Sequence, residues 1–227
     1  MTGHIDDFAT WVGDLAAFWK DWSGERPGTR VLAGHSMGGH LVLRAVAEQR
    51  VRPDALVLSA PMLGFLPDYL PAAVQLAAAR LMSRIGDSRR PAWKWSEKPG
   101  ELPAGRESLL THDDERYADE QWWRTERPEL AMGTGSWGWT RAACVSNMLL
   151  ARPGMLEGID IPVLLLAASE DRLVSFAAIK SAAQRIPDSV FAVFGRGARH
   201  ELLREEDEVR DRVLAAIDEF LERLRAS

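Results

Sequence analysis

Apolar side chains recur at helical spacing over residues 5–22, where Phe8, Val12, Leu15, Trp19 and Trp22 align and Trp11 and Phe18 widen the stripe. This predicts an amphipathic helix, which Asp6 or Asp7 can cap. GERPGT (24–29) is a turn. TRVLAGHS (29–36) is then a short apolar run, MGGHLVLRAVAEQ (37–49) reads as helix, and DALVLSAP (54–61) is a buried strand between Pro53 and Pro61. Strand, helix and strand in succession predict a parallel sheet of the α/β class.

The pattern changes over about 62–150, which holds no convincing strand. Leu70, Val74, Ala78, Leu81 and Ile85 make one helical stripe. DDERYADEQWWRTERP (113–128) reads as a second helix, capped by Asp113 and stopped before Pro128, and WTRAACVSNMLLA (139–151) as a third. Gly-, Pro- and Trp-rich loops lie between them, with Trp93, Trp95, Trp122, Trp123, Trp137 and Trp139 concentrated there. The α/β alternation returns with a strand at 161–169, a helix at 176–186 and a strand at 189–195. A final helix over about 205–225 carries Val209, Val213, Ile217, Phe220 and Leu224 on one side. The expected organisation is an α/β core of 1–61 and 151–227, with 62–150 as a helical cap over the sheet.

Composition narrows the function classes. A formal net charge of −5 argues against nucleic acid as a partner, because phosphate binding wants clustered Lys and Arg. The single cysteine, Cys144, cannot form an internal disulfide, and MTGHIDDF lacks the basic head and apolar run of a signal peptide. No apolar run is long enough to span a bilayer. A cytoplasmic protein is the expectation.

The chemistry is concentrated in AGHSMGGH (33–40), which contains Gly34-His35-Ser36-Met37-Gly38, a G-x-S-x-G pattern between a strand and a helix. A serine on so sharp a turn has strained backbone angles. Glycines two before and two after it are expected to relieve the crowding. The turn lifts the hydroxyl above the sheet, and the Met37 N–H at the helix start points at a developing oxyanion. A serine needs a base. Of the five histidines, His35 and His40 flank the serine in packing or surface roles, His4 lies at a fraying start, and His112 is expected exposed in the insertion. His200, in the loop GRGARHELL (195–203) after the last strand, is the expected base, a surface loop histidine being the alternative. ASEDRLVS (168–175) also follows an apolar strand, so Glu170 and Asp171 compete to orient the histidine. Asp171 is favoured because Arg172-Leu173-Val174 turns into the next helix, though a helix cap could use the same residue.

The chain order Ser36, Asp171, His200 and the motifs around it resemble the α/β-hydrolase superfamily. Within it, the sequence is similar to the monoacylglycerol lipase and bacterial lysophospholipase group, which is serine aminopeptidase-like. GHSMGGH, GHIDDF, LSAPMLG, ASEDRLVS and GARHELLRE carry the resemblance, and ERPELAMGTGSWGW is similar to the cap of the bacterial lysophospholipases. The resemblance implies cleavage of carboxylic esters through an acyl-serine without a metal or organic cofactor. Its implied partners are a small lipid or ester substrate and, transiently, a membrane surface. A serine nucleophile argues against the Asp-dependent dehalogenases and epoxide hydrolases of this fold. Family members carry several strands and a His-Gly loop, the source of a second oxyanion donor, ahead of the first helix seen here. The chain therefore resembles the C-terminal two-thirds to three-quarters of a member, with the N-terminal strands expected to be missing. Two alternatives to the esterase reading are a peptidase of proline-iminopeptidase type, for which DDER (113–116) could hold a free amino terminus, and a catalytically impaired truncated hydrolase.

Overall fold

The computed structural model describes residues 2–24, 27–93 and 106–226. Trp95 of the expected cap lies outside them. Four parallel strands, β1 (Val31–His35), β2 (Ala55–Ser59), β3 (Val163–Ala168) and β4 (Ser189–Phe194), stand in the order β1-β2-β3-β4. Helix α1 (Ala9–Gly24) precedes β1, and α2 (Ser36–Ala47) joins β1 to β2. Among the described residues, four α-helices lie between β2 and β3: α3 (Ala72–Arg84), α4 (Glu107–Leu110), α5 (Asp114–Glu126) and α6 (Trp137–Leu150). α7 (Phe176–Arg185) joins β3 to β4, and α8 (Asp207–Ala226) follows β4.

The sheet has a core on each face, and the period-two alternation of the strands sorts residues between them. Leu56, Leu58, Val163, Leu165 and Ala167 point into a core shared with Val12 and Trp19 of α1, Leu43 of α2, Ala143 of α6 and Ile179 of α7. Ala55, Val57, Leu164 and Leu166 point the other way, against Leu202 and against Val209, Val213 and Phe220 of α8. All residues of β2 and β3 are buried. Strands covered on both faces need apolar residues at every position, which is why their sequences are continuous hydrophobic runs.

The predicted helix ends are capped as expected: Asp7 Oδ1 accepts from Ala9 N at 2.8 Å, and Asp113 Oδ1 from Arg116 N at 2.9 Å. Ser136 does the same for α6, accepting from Trp139 N at 3.1 Å.

Two apolar stripes differ from expectation. Phe18 is 64% exposed, so α1 buries a narrower face than its sequence suggests. In α3 the buried residues are Leu76 and Ala79; of the predicted stripe, Val74, Leu81 and Ile85 face outward at 50%, 58% and 55% exposure, and Leu70 and Ala78 border a cavity. The helix has two apolar faces, and the narrower one is turned inward.

The expected fraying start is held in place. Gly3 N donates to Thr134 O and Ser136 N to Gly3 O, at 2.9 and 2.8 Å. His4 Nδ1 pairs with Ser136 Oγ at 2.7 Å. The segment before α1 is thus tied to the turn before α6.

Candidate active site

Ser36 is the first residue of α2, directly after β1, and its φ is +52°. A residue with a Cβ rarely adopts that angle, so the turn is strained where it presents the hydroxyl. Gly34 makes the turn possible: a Cβ there would lie 2.7 Å from the Gly39 nitrogen and 2.8 Å from the Gly38 carbonyl. The partner glycine is Gly39 and not the expected Gly38. A Cβ on Gly39 would lie 3.0 Å from both Gly34 O and Pro61 Cβ, whereas one on Gly38 would meet nothing within 4 Å. Met37 is the second residue of α2, so its N–H has no carbonyl one turn back to bond.

His200 and Asp171 leave the sheet at the ends of β4 and β3 and meet there. The His200 Nδ1 to Asp171 Oδ2 distance is 2.7 Å, and both side chains are buried. The other carboxylate oxygen, Oδ1, accepts from Leu173 N at 2.7 Å and Val174 N at 3.1 Å. The carboxylate is thereby fixed while it holds the ring. Glu170, the competing acid, is exposed and faces Arg196 at 4.0 Å. With Nδ1 engaged, Nε2 is the ring atom left for chemistry. Ser36 and His200 line the same cavity, of about 860 Å³. No hydrogen bond joins them; such contacts often tighten only when substrate is in place.

His35 packs its ring against His200, with centroids 4.7 Å apart, and its Nδ1 lies 3.1 Å from Ser59 O. Burial, and then the proximity of His200, push its pKa down to about 4. It is therefore neutral near pH 7 and adds no charge beside His200. His40 is buried, holding Met62 O at 3.0 Å and Ser146 Oγ, and burial lowers its pKa to about 4. Cys144 also lines the cavity; burial raises its thiol to about 11, so it stays protonated and unreactive near neutrality.

His112 is not exposed as expected. Its N–H and Nδ1 bond Glu205, a fully buried carboxylate that also accepts from Arg199 N at 2.7 Å. Glu201 N donates to Leu110 O at 2.8 Å, and Arg199 Nη1 donates to Thr111 O. The loop carrying His200 is thus latched to the segment after α4. These partners are about 90 residues apart, and the only sequence signal was the Glu that ends GARHELLRE.

The rest of the wall is mainly apolar, including Phe65, Leu110, Leu130, Met132, Trp93 and Trp139. Its charged residues other than histidine, among the described residues, are Arg106, Arg124 and Glu201. Sequence reading did not single out the arginines. Among the described residues no group of three or more His, Cys, Asp or Glu is placed to hold a metal ion.

The family model described as "Serine aminopeptidase, S33" matches residues 1–207. The chain belongs to that family. Lysophospholipase L2 of Escherichia coli K12 is 29% identical to it over 97% of this chain and 66% of the relative, and a probable lysophospholipase L2 of Haemophilus influenzae is 26% identical over 96% and 68%. The chain thus spans about two thirds of the length of the curated relatives it matches. Among solved structures, the monoacylglycerol lipase of Paleococcus ferrophilus superposes with a TM-score of 0.70 at 19% identity, covering 97% of this chain and 77% of that one. A soluble variant of the monoglyceride lipase of Saccharomyces cerevisiae, solved with a substrate analogue, superposes with a TM-score of 0.72 at 16% identity, covering 97% and 71%. The fold is that of the α/β-hydrolases, shared with these lipases.

Proposed function

We propose that the protein is a serine hydrolase that cleaves carboxylic esters of single-chain lipids. Ser36 attacks the ester carbonyl while His200 Nε2 takes its proton. Asp171 keeps the proton on Nδ1 and stabilises the imidazolium. The Met37 N–H stabilises the oxyanion. His200 then protonates the departing alcohol, leaving an acyl-serine, and water activated by the same histidine releases the fatty acid and restores Ser36. The observation that carries this reading is one cavity holding both a serine at φ +52° and a histidine clamped by a buried carboxylate. The apolar wall suits an acyl chain, and the lysophospholipase and monoglyceride lipase relatives favour lipid esters.

Residues 62–150 act in this proposal as a cap over the cavity that selects substrate. The peptidase alternative is weaker. Asp113 is occupied by the start of α5 and by Arg116 at 2.8 Å, and neither it nor Asp114 or Glu115 lines the cavity. The outward stripe of α3, with Arg80 and Arg84 along its flank, is the part suited to a transient contact with an anionic lipid surface. No helix among the described residues is long and apolar enough to cross a membrane.

The test is labelling with a fluorophosphonate together with ester turnover. Ser36 is expected to carry the label. Ser36→Ala is expected to lose on the order of 10⁴-fold or more in turnover of p-nitrophenyl esters, as nucleophile and base act as one unit. Label on another residue, or undiminished turnover in the variant, would sink the reading.

A further inference from the structure

We propose that Arg124 binds the phosphate of the substrate, making lysophospholipids and not neutral monoacylglycerols the preferred substrates. This rests on the esterase reading above and names the substrate class of that site. Arg124 lies on α5, and its side chain is only 11% exposed although it lines the cavity that holds Ser36 and His200. A guanidinium buried to that degree has to be held, and Glu120 holds it: Nε and Nη2 both donate to Glu120 Oε1, at 3.2 and 3.0 Å. The same oxygen accepts from Arg106 Nη1 at 2.9 Å. Glu120 thus fixes Arg124 through two nitrogens and leaves Nη1 without a partner among the described residues.

An arginine needed only to pair with Glu120 one turn away could do so from the outer face of α5. This one instead stands in a predominantly apolar wall, where a fixed cationic donor is strongly attractive to an anion because little water competes. Glu201 is the single acidic residue of the wall among the described residues, and it is occupied by Arg204 at 2.9 Å. A lysophospholipid offers the matching pattern: one acyl chain for the apolar wall, an ester for Ser36, and a phosphate a glycerol unit away for the guanidinium. A monoacylglycerol offers Nη1 only neutral hydroxyl oxygens and no charge to match the guanidinium.

Two measurements test this on the 227-residue chain. The first compares kcat/KM for a lysophospholipid and for the monoacylglycerol of the same acyl chain. The wild type is expected to prefer the lysophospholipid. Arg124→Gln is expected to lower the ratio between the two about 10- to 100-fold, mainly through KM, and Arg124→Lys to restore part of it. An equal loss on both substrates, or an unchanged ratio, overturns the proposal. The second needs no turnover: calorimetric binding of sn-glycerol 3-phosphate, inorganic phosphate and glycerol to the wild type. Glycerol 3-phosphate should bind, and glycerol should not. Inorganic phosphate binding as tightly as glycerol 3-phosphate, with no lysophospholipid preference, would mean a free-phosphate site and overturn the headgroup assignment. Failure of all ester turnover while glycerol 3-phosphate still binds would count against the esterase reading and leave the anion site standing.

Discussion

Helices α2 and α3 have similar apolar periodicity and opposite fates. In α2, Val42, Leu43, Ala45 and Val46 are buried, and so is Arg44, whose Nη1 reaches Ser146 of α6 at 2.9 Å. In α3 only Leu76 and Ala79 are buried, Ala78 borders the cavity, and Val74, Leu81 and the following Ile85 look outward. The cause is the number of neighbours. α2 lies between the sheet and helices α1 and α6, so most of its circumference is covered. α3 rests mainly on α6. Periodicity announces a stripe; what covers the stripe is decided by the layer in which the helix sits. The helix that carries the serine buries its apolar surface for stability, and α3 leaves part of its own exposed.

The largest stability difference between the two helices should come from Leu43, which is fully buried where α2 meets the sheet. Leu43→Ala is expected to cost about 2–5 kcal/mol, through lost transfer energy and a cavity that packed neighbours cannot close. Urea denaturation reads it as a lower midpoint at unchanged slope. A loss below about 1 kcal/mol would mean that α2 is no better anchored than α3.

Much of this was legible in the sequence, and the pattern of successes has a physical basis. β2 and β3 are continuous apolar runs because both faces are covered, and α8 carries its stripe at helical spacing. The candidate residues Ser36, Asp171 and His200 stand out because each lies in the segment that follows a strand, β1, β3 and β4 respectively, and a parallel sheet brings such segments to one edge. The contacts that escaped are those with no local signature. His112 meets Glu205 and His4 meets Ser136 across 93 and 132 residues. Gly39 takes the crowding role expected of Gly38 because the close atoms belong to Gly34 and to Pro61, beyond the turn itself. Arg124 sits in a helix that is polar nearly all round, so nothing in its spacing marks the face that lines the cavity.

Acid should also discriminate between the helices, because α2 buries a titratable base and α3 does not. The pKa of His40 is lowered from 6.5 to about 4, chiefly by burial and then by the charge of Arg44. Between these values the unfolded chain takes up a proton that the folded chain refuses, so stability is flat above about pH 6.5 and falls as pH drops toward 4. The full span is worth about 3 kcal/mol for His40, and His35 adds to it with the same sign. Urea midpoints at pH 7.0 and pH 5.0 should therefore differ in the wild type, and by less in His40→Gln. Substitutions on the outer face of α3 should leave the difference intact. A midpoint that does not move between the two pH values would show that His40 is protonated without cost.

The smallest stability effect, and the sharpest test of the comparison, belongs to the outer face of α3. Val74→Ser, Leu81→Ser and Ile85→Ser remove three apolar side chains that are already half or more exposed. Each should change folding free energy by about 0.5 kcal/mol or less, since little surface returns to water on unfolding. Association with lipid vesicles should change far more. Burying a whole aliphatic side chain contributes about 1.5–3 kcal/mol, so even partial insertion of three would weaken association on the order of tenfold or more once lost. The flanking Arg80 and Arg84 predict the lipid preference, because a basic residue near an anionic surface contributes about 1 kcal/mol. Sedimentation with phosphatidylglycerol vesicles and with phosphatidylcholine vesicles separates the two contributions. The triple variant should lose binding to both, whereas Arg80→Gln with Arg84→Gln should lose only the preference for the anionic lipid. If the triple variant binds as the wild type does, α3 is not the surface that meets lipid. If it instead unfolds at much lower urea, the stripe is covered in solution, by a second copy or another segment, and the apolar surface of α3 serves stability just as that of α2 does.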